Sequence, residues 1–158
     1  MARFSTRTMN NVVIFAMLAM IALFNLDSFL PSPDSRQALQ VIGSDDYVLR
    51  IEHNGNSLEK AGQQWRQVTQ TSDRLNVTPN AQLTAWRQAV LAPVSAPDEI
   101  NQDEAQIVVI WLAGQTQGRV LALYQKSDIL LVKFRGSWYR LQQASLHELL
   151  PWWQPVEE

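Results

Sequence analysis

Between Arg7 and Asp27 the chain carries no charged side chain, and the centre of this stretch, residues 12–24, reads VVIFAMLAMIALF. A helix over these about 19 uncharged positions rises roughly 28 Å, close to the hydrocarbon thickness of a bilayer. The pattern predicts a transmembrane helix over residues 11–30, preceded by a cytoplasmic tail over 1–10. A linker over 31–36 and an extracytoplasmic domain over 37–158 follow. Pro31 and Pro33 cannot continue a helix, so the span is expected to end near Leu30.

The flanking charges give an orientation. Arg3, Arg7 and the terminal amine precede the apolar run, whereas Asp27 and Asp34 follow it before the first base, Arg36. By the positive-inside rule the N-terminus stays in the cytoplasm and the domain lies across a bacterial inner membrane, in the periplasm. A cleaved signal peptide is the alternative. Cleavage favours small residues at the −3 and −1 positions, and the sequence FNLDSFL after the run offers no such pair, which favours a retained anchor.

The remaining roughly 120 residues suffice for one domain with a core of its own. Cysteine is absent, which excludes disulfides, thiolate metal sites and a cysteine nucleophile. Stability must come from packing, and six tryptophans and five phenylalanines supply large apolar surfaces. A net charge of −2, with the bases scattered singly, argues against nucleic acid as a partner.

Residues 39–42 and 47–51 read as short strands around the turn Gly43-Ser44-Asp45-Asp46. His53-Asn54-Gly55-Asn56 reads as a hairpin turn, since Asn-Gly accepts the positive φ angles of a type I′ turn. Residues 57–60 and 64–68 continue the meander. Thr78-Pro79 opens a helix expected to run to about Ala92, with Leu83, Trp86 and Val90 on one stripe and Pro93 as its stop. An acidic loop follows over 94–106. Residues 107–112, IVVIWL, are continuously apolar and predict a central strand covered on both faces. Strands at 119–124, 129–134 and 138–141 come next. Ser145 and Glu148 have capping-box spacing and open a short helix ended by Pro151. Strands joined by tight turns pair antiparallel, so the fold expected is α+β, a mostly antiparallel sheet with one longer and one short helix.

Three segments carry a resemblance to a known family: LRIEHNGNSLEKAGQQWRQV, the helix around LTAWRQAVL, and LALYQKSDILLVKFRGSWYRLQQASLHELLP. Their order between Tyr47 and Trp152 resembles membrane-anchored extracytoplasmic domains of unknown function. These occur as repeats in proteins encoded beside gliding-motility-type ABC transporter components. Family members usually carry several such units, and this chain has one. The resemblance implies a sheet-and-helix scaffold with an accessory role in an envelope assembly, and no catalytic residues.

No residue pattern specifies chemistry. His53 and His147 are far apart in sequence, and His147 beside Glu148 cannot share a helical face with it as a metal pair. Asp98, Glu99, Asp103 and Glu104 lack the spacing and glycine of a calcium loop. There is no nucleophile elbow, Walker A or dinucleotide glycine pattern. Trp65, Trp86, Trp111 and Trp138 are expected in the core. Trp152 and Trp153 are adjacent in a short tail, and two neighbouring indoles do not easily enter one small core, so they are candidate partner-binding residues. The sequence thus predicts a non-enzymatic, single-pass membrane protein without cofactors or metal. Its periplasmic domain is expected to act as an accessory or scaffolding subunit through contacts with other envelope proteins. The alternative is a periplasmic module that binds or senses a small molecule or glycan.

Overall fold

The computed structural model describes residues 6–24, 37–70, 74–98 and 100–154. The chain divides into two compact units, Met1–Ser35 and Arg36–Glu158.

The first unit holds helix α1, Thr6–Phe24. This differs from the expected span over 11–30. The helix starts within the polar residues Thr6, Arg7, Thr8, Asn10 and Asn11, so its uninterrupted apolar part is residues 12–24. That part rises only about 20 Å. Among the described residues no helix is long and apolar enough to cross a membrane. The rest of the expected span, 25–30, and the linker over 31–36 lie outside the described residues.

The second unit is an α+β fold built on one large antiparallel sheet. Its nine described strands are β1 (Leu39–Gln40), β2 (Val48–His53), β3 (Asn56–Ala61), β4 (Gln64–Val68), β5 (Val90–Pro93), β6 (Gln106–Leu112), β7 (Arg119–Lys126), β8 (Ile129–Phe134) and β9 (Ser137–Gln142). They lie in the order β1-β5-β9-β8-β7-β6-β2-β3-β4. Local turn chemistry explains the two meanders. Between β2 and β3, Asn54 and Gly55 take φ of 46° and 76°, and His53 pairs with Asn56, which is the two-residue turn that Asn-Gly favours. The long-range step is β2 pairing with β6, with a register shift between Val48 and Arg50.

Helix α2 (Pro79–Gln88) begins as expected, with Thr78 Oγ1 accepting from the Ala81 amide at 3.3 Å. It ends four residues earlier than Ala92, because Ala89 turns extended and Val90 and Leu91 join the sheet beside β9 and β1. Pro93 therefore closes a strand rather than a helix. Helix α3 (Leu146–Leu149) carries the complete capping box of Ser145 and Glu148.

Strand alternation sends Val108, Ile110, Leu121, Leu123, Val132 and Tyr139 to one face, where they are buried with Leu83 and Trp86 of α2 and Leu149 of α3. Trp86 is fully buried. One polar knot crosses this core. The Leu149 carbonyl, at the end of α3, accepts from Gln82 Nε2 at 2.8 Å and from Trp86 Nε1 at 3.0 Å. It thereby escapes the orphan state of a helix's last carbonyls. Gln82 Oε1 in turn accepts from Gln67 Nε2 at 2.8 Å.

The expectation that β6 is covered on both faces is corrected here. Its inward residues are buried, but Ile107 and Trp111 are 45% and 37% exposed. The domain's helices contribute to a single core on one face, so a continuous apolar run was not evidence of a second layer.

Candidate functional site: the outer sheet face

Residues directly opposite each other on neighbouring strands share a face. One cross-strand row on the outer face runs Ile107, Ala122, Lys133, Trp138, and a second runs Tyr124, Leu131, Arg140, Ala92. Val109 and Val120 pair beside them. Val120 is 53% exposed. An antiparallel sheet with one solvated face usually alternates apolar and polar residues, so an apolar outer face is a departure from the rule.

The two flanks of this face differ in charge. On the β2–β4 side, Arg50 Nη1 meets Glu52 Oε1 at 2.8 Å, Arg50 Nε meets Glu59 at 3.6 Å, and Arg66 Nη2 meets Glu59 at 2.5 Å. Trp111 joins this chain by donating its indole N–H to Glu52 Oε2 at 2.9 Å. Its ring lies over Gly118, where a Cβ would stand 3.4 Å from Trp111 Cε2 and 2.4 Å from Val109 Cγ1. On the β8–β9 side, Lys133 Nζ lies 5.5 Å from the Trp138 ring centre, and Trp138 and Tyr124 are 5.2 Å apart. Among the described residues neither Lys133 nor Arg140 has an acid within ion-pair distance. The acids on one flank are neutralised, and the bases on the other are not.

At the hairpin end of the face, Arg50, Glu52, His53, Asn54, Ile107 and Val109 line an open cleft of about 370 Å³. His53 itself is 3% exposed at the end of β2. Its Nε2 is 2.9 Å from Gln106 Oε1, and its Nδ1 accepts from Trp152 Nε1 at 3.0 Å. An indole N–H only donates, so Nδ1 is the bare nitrogen and Nε2 carries the proton. Burial lowers the His53 pKa below its ordinary 6.5, opposed by the Gln106 hydrogen bond. The ring is therefore neutral near pH 7. With both nitrogens engaged by uncharged partners, it has neither the orienting acid nor the neighbouring nucleophile of a catalytic base.

The other sequence candidates fall into structural places. Trp86 is in the core, Trp65 packs at its margin, and Trp111 and Trp138 are on the outer face rather than inside. Trp152 and Trp153 both lie half-buried against the core, the Trp153 amide donating to the Leu150 carbonyl at 2.9 Å. His147 is exposed on α3. Asp103 and Glu104 sit in a one-turn 3₁₀ helix, Gln102–Glu104, held by Asn101. Asp98 is in the loop before it, and Glu99 lies outside the described residues. Among the described residues no three of His, Asp and Glu converge as metal ligands. The outer face and the His53–Trp152 contact were both missed by sequence reasoning. The first was signalled by apolar residues on both parities of β6, and the second has no local signature.

Comparison with family models, curated proteins and solved structures finds no match for this chain.

Proposed function

We propose that this chain is a non-enzymatic accessory subunit of a bacterial envelope assembly. Its N-terminal apolar segment ties it to the inner membrane, and its periplasmic domain docks on a partner protein through the outer sheet face. The observation that carries this reading is the apolar patch of Ile107, Val109, Trp111 and Val120 on the outer face, in which Ile107, Trp111 and Val120 are exposed. Large uncovered apolar surfaces of this kind serve as interaction sites. The charge balance selects the partner: Lys133 and Arg140 have no ion pair among the described residues, so the matching surface has an apolar centre and an acidic edge. The anchor is supported by α1, in which the consecutive residues Val12, Val13, Ile14 and Phe15 are all exposed, with Met17, Leu18 and Ile21. A helix apolar on every side needs apolar surroundings. The order of features between Tyr47 and Trp152 that resembles envelope-associated anchored domains points the same way.

The test is a photo-crosslinkable residue at Val120 in the full chain, in native membranes. One dominant adduct is expected, lost when Lys133→Glu and Arg140→Glu are combined, with circular dichroism unchanged. No adduct, or one indifferent to those charges, would refute the acidic-rimmed partner. An adduct at twice the chain's own mass would replace it with a second copy. The glycan-binding alternative calls for exposed aromatics, and the hairpin cleft is lined by no Trp, Tyr or Phe on which a sugar could stack.

A further inference from the structure

His53 is the one deeply buried side chain of the His, Asp, Glu, Lys and Arg types among the described residues, and it holds the C-terminal segment through a contact 99 residues away in sequence. The hydrogen-bond chain around it runs in one direction. Trp152 Nε1 donates to His53 Nδ1, His53 Nε2 donates to Gln106 Oε1, and Gln106 Nε2 donates to the Glu104 carbonyl at 3.2 Å. Every member is satisfied only while the imidazole is neutral. A second proton has one place to go, Nδ1, which would set two N–H donors against each other 3.0 Å apart.

Among the described residues no acid lies within ion-pair distance of His53 to compensate the imidazolium. The cross-strand partners of His53 are Asn56 on β3 and Val108 on β6, both uncharged. Glu52 occupies the opposite face, bonded to Arg50 and Trp111. The Glu104 carboxylate is held by Asn101. On α3, Glu148 is bound to Ser145 and His147 is exposed. Protonation therefore leaves an unpaired buried charge facing a hostile donor, and the cheapest relief is for the indole to leave.

The chain is built so that this departure stays local. Leu149, Leu150 and Pro151 are buried, whereas Trp152 and Trp153 are half-buried and Gln154 is exposed. We propose that His53 and Trp152 form an acid-opened latch: protonation of His53 breaks the hydrogen bond from Trp152 and releases its indole ring into solvent. This goes beyond the docking reading and does not depend on it. Because burial holds the imidazole below its ordinary 6.5, the latch is closed at neutral pH and opens only in acid.

Fluorine NMR of the full chain in mild detergent, labelled with 5-fluorotryptophan, reads the latch directly. A soluble gadolinium chelate reports exposure ring by ring. As pH falls, the Trp152 signal should gain relaxation several-fold, with the same midpoint as the His53 Cε1–H shift, while the fully buried Trp86 stays protected. In His53→Gln, whose amide can accept from Trp152 and donate to Gln106 without titrating, Trp152 should stay shielded throughout. Three results would overturn the latch: Trp152 shielded after His53 has titrated, Trp86 exposed together with Trp152, or an unchanged response in His53→Gln. Should that variant not fold, the wild-type midpoints decide alone, and a separation of about one pH unit or more refutes the coupling.

Discussion

The Leu149 carbonyl is bonded twice from α2, by Gln82 Nε2 at 2.8 Å and by Trp86 Nε1 at 3.0 Å. Each donor is thus insured by the other. Gln82→Met removes two hydrogen bonds, but Leu149 keeps Trp86, and Gln67 Nε2 keeps the Val77 carbonyl at 3.0 Å. The expected cost is about 1–2 kcal/mol, because no buried group is left unpaired. Trp86→Phe removes one hydrogen bond and part of a fully buried ring, for about 2 kcal/mol. Together the substitutions strand the carbonyl in the core, which adds the desolvation penalty of an unsatisfied acceptor, about 1–3 kcal/mol beyond the sum. Urea unfolding of the full chain in mild detergent measures this, followed by far-ultraviolet circular dichroism because Trp86→Phe removes a fluorophore. Independent sites add within about 0.5 kcal/mol. A double variant whose loss equals the sum within that margin would refute the shared-acceptor account.

Two further outcomes follow from the geometry. Gly118→Ala places a Cβ 2.4 Å from Val109 Cγ1, so Val109 must change rotamer, and sets a new methyl in van der Waals contact with the Trp111 ring at 3.4 Å. A loss of about 1–3 kcal/mol in the same unfolding assay, with a shifted Trp111 fluorine signal, is expected. Glu148 has its pKa lowered below the ordinary 4.5 chiefly by the Ser145 backbone and side-chain hydrogen bonds. A carboxylate with a lowered folded-state pKa contributes stability above its unfolded value and loses it as pH falls through the folded one. Ser145→Ala should therefore cost about 0.5–2 kcal/mol at neutral pH and flatten only part of the decline of stability with acid below about pH 4.5, since the Ser145 backbone N–H still donates to Glu148.

Much of the fold is legible in short-range chemistry. Asn54-Gly55, the Ser145–Glu148 box and the alternating strands each encode their geometry within a few residues, and the structure places them as the sequence predicts. The errors arise where distant partners decide. Val90 and Leu91 continue the apolar spacing of α2, yet their backbone is claimed by Gln142 and Leu141 of β9. The apolar run of β6 reads the same whether its second face is covered or bare. Trp152 and Trp153 follow a turn closed between Trp153 and Leu150, and both rings are half-buried against the core. The His53–Trp152 bond joins the two ends of the domain, and no local pattern announces such a contact.

The strand order also dictates when the sheet can be completed. β1 and β2 are consecutive along the chain but stand first and seventh across the sheet. As the polypeptide is synthesised, β2 to β4 can form a meander early, yet the free flank of β2 must wait for β6. β1 waits for β5, and β5 gains its second neighbour only with β9, the last of the described strands. Loop closures of this length slow folding and leave unpaired edges open to other chains. A chain interrupted before β9 would pair β2 with β6 and β1 with β5, yet leave open edges on β5 and β8, the two strands that β9 bridges. The arrival of β9 therefore joins the β1–β5 pair to the rest of the sheet and makes one domain of two parts.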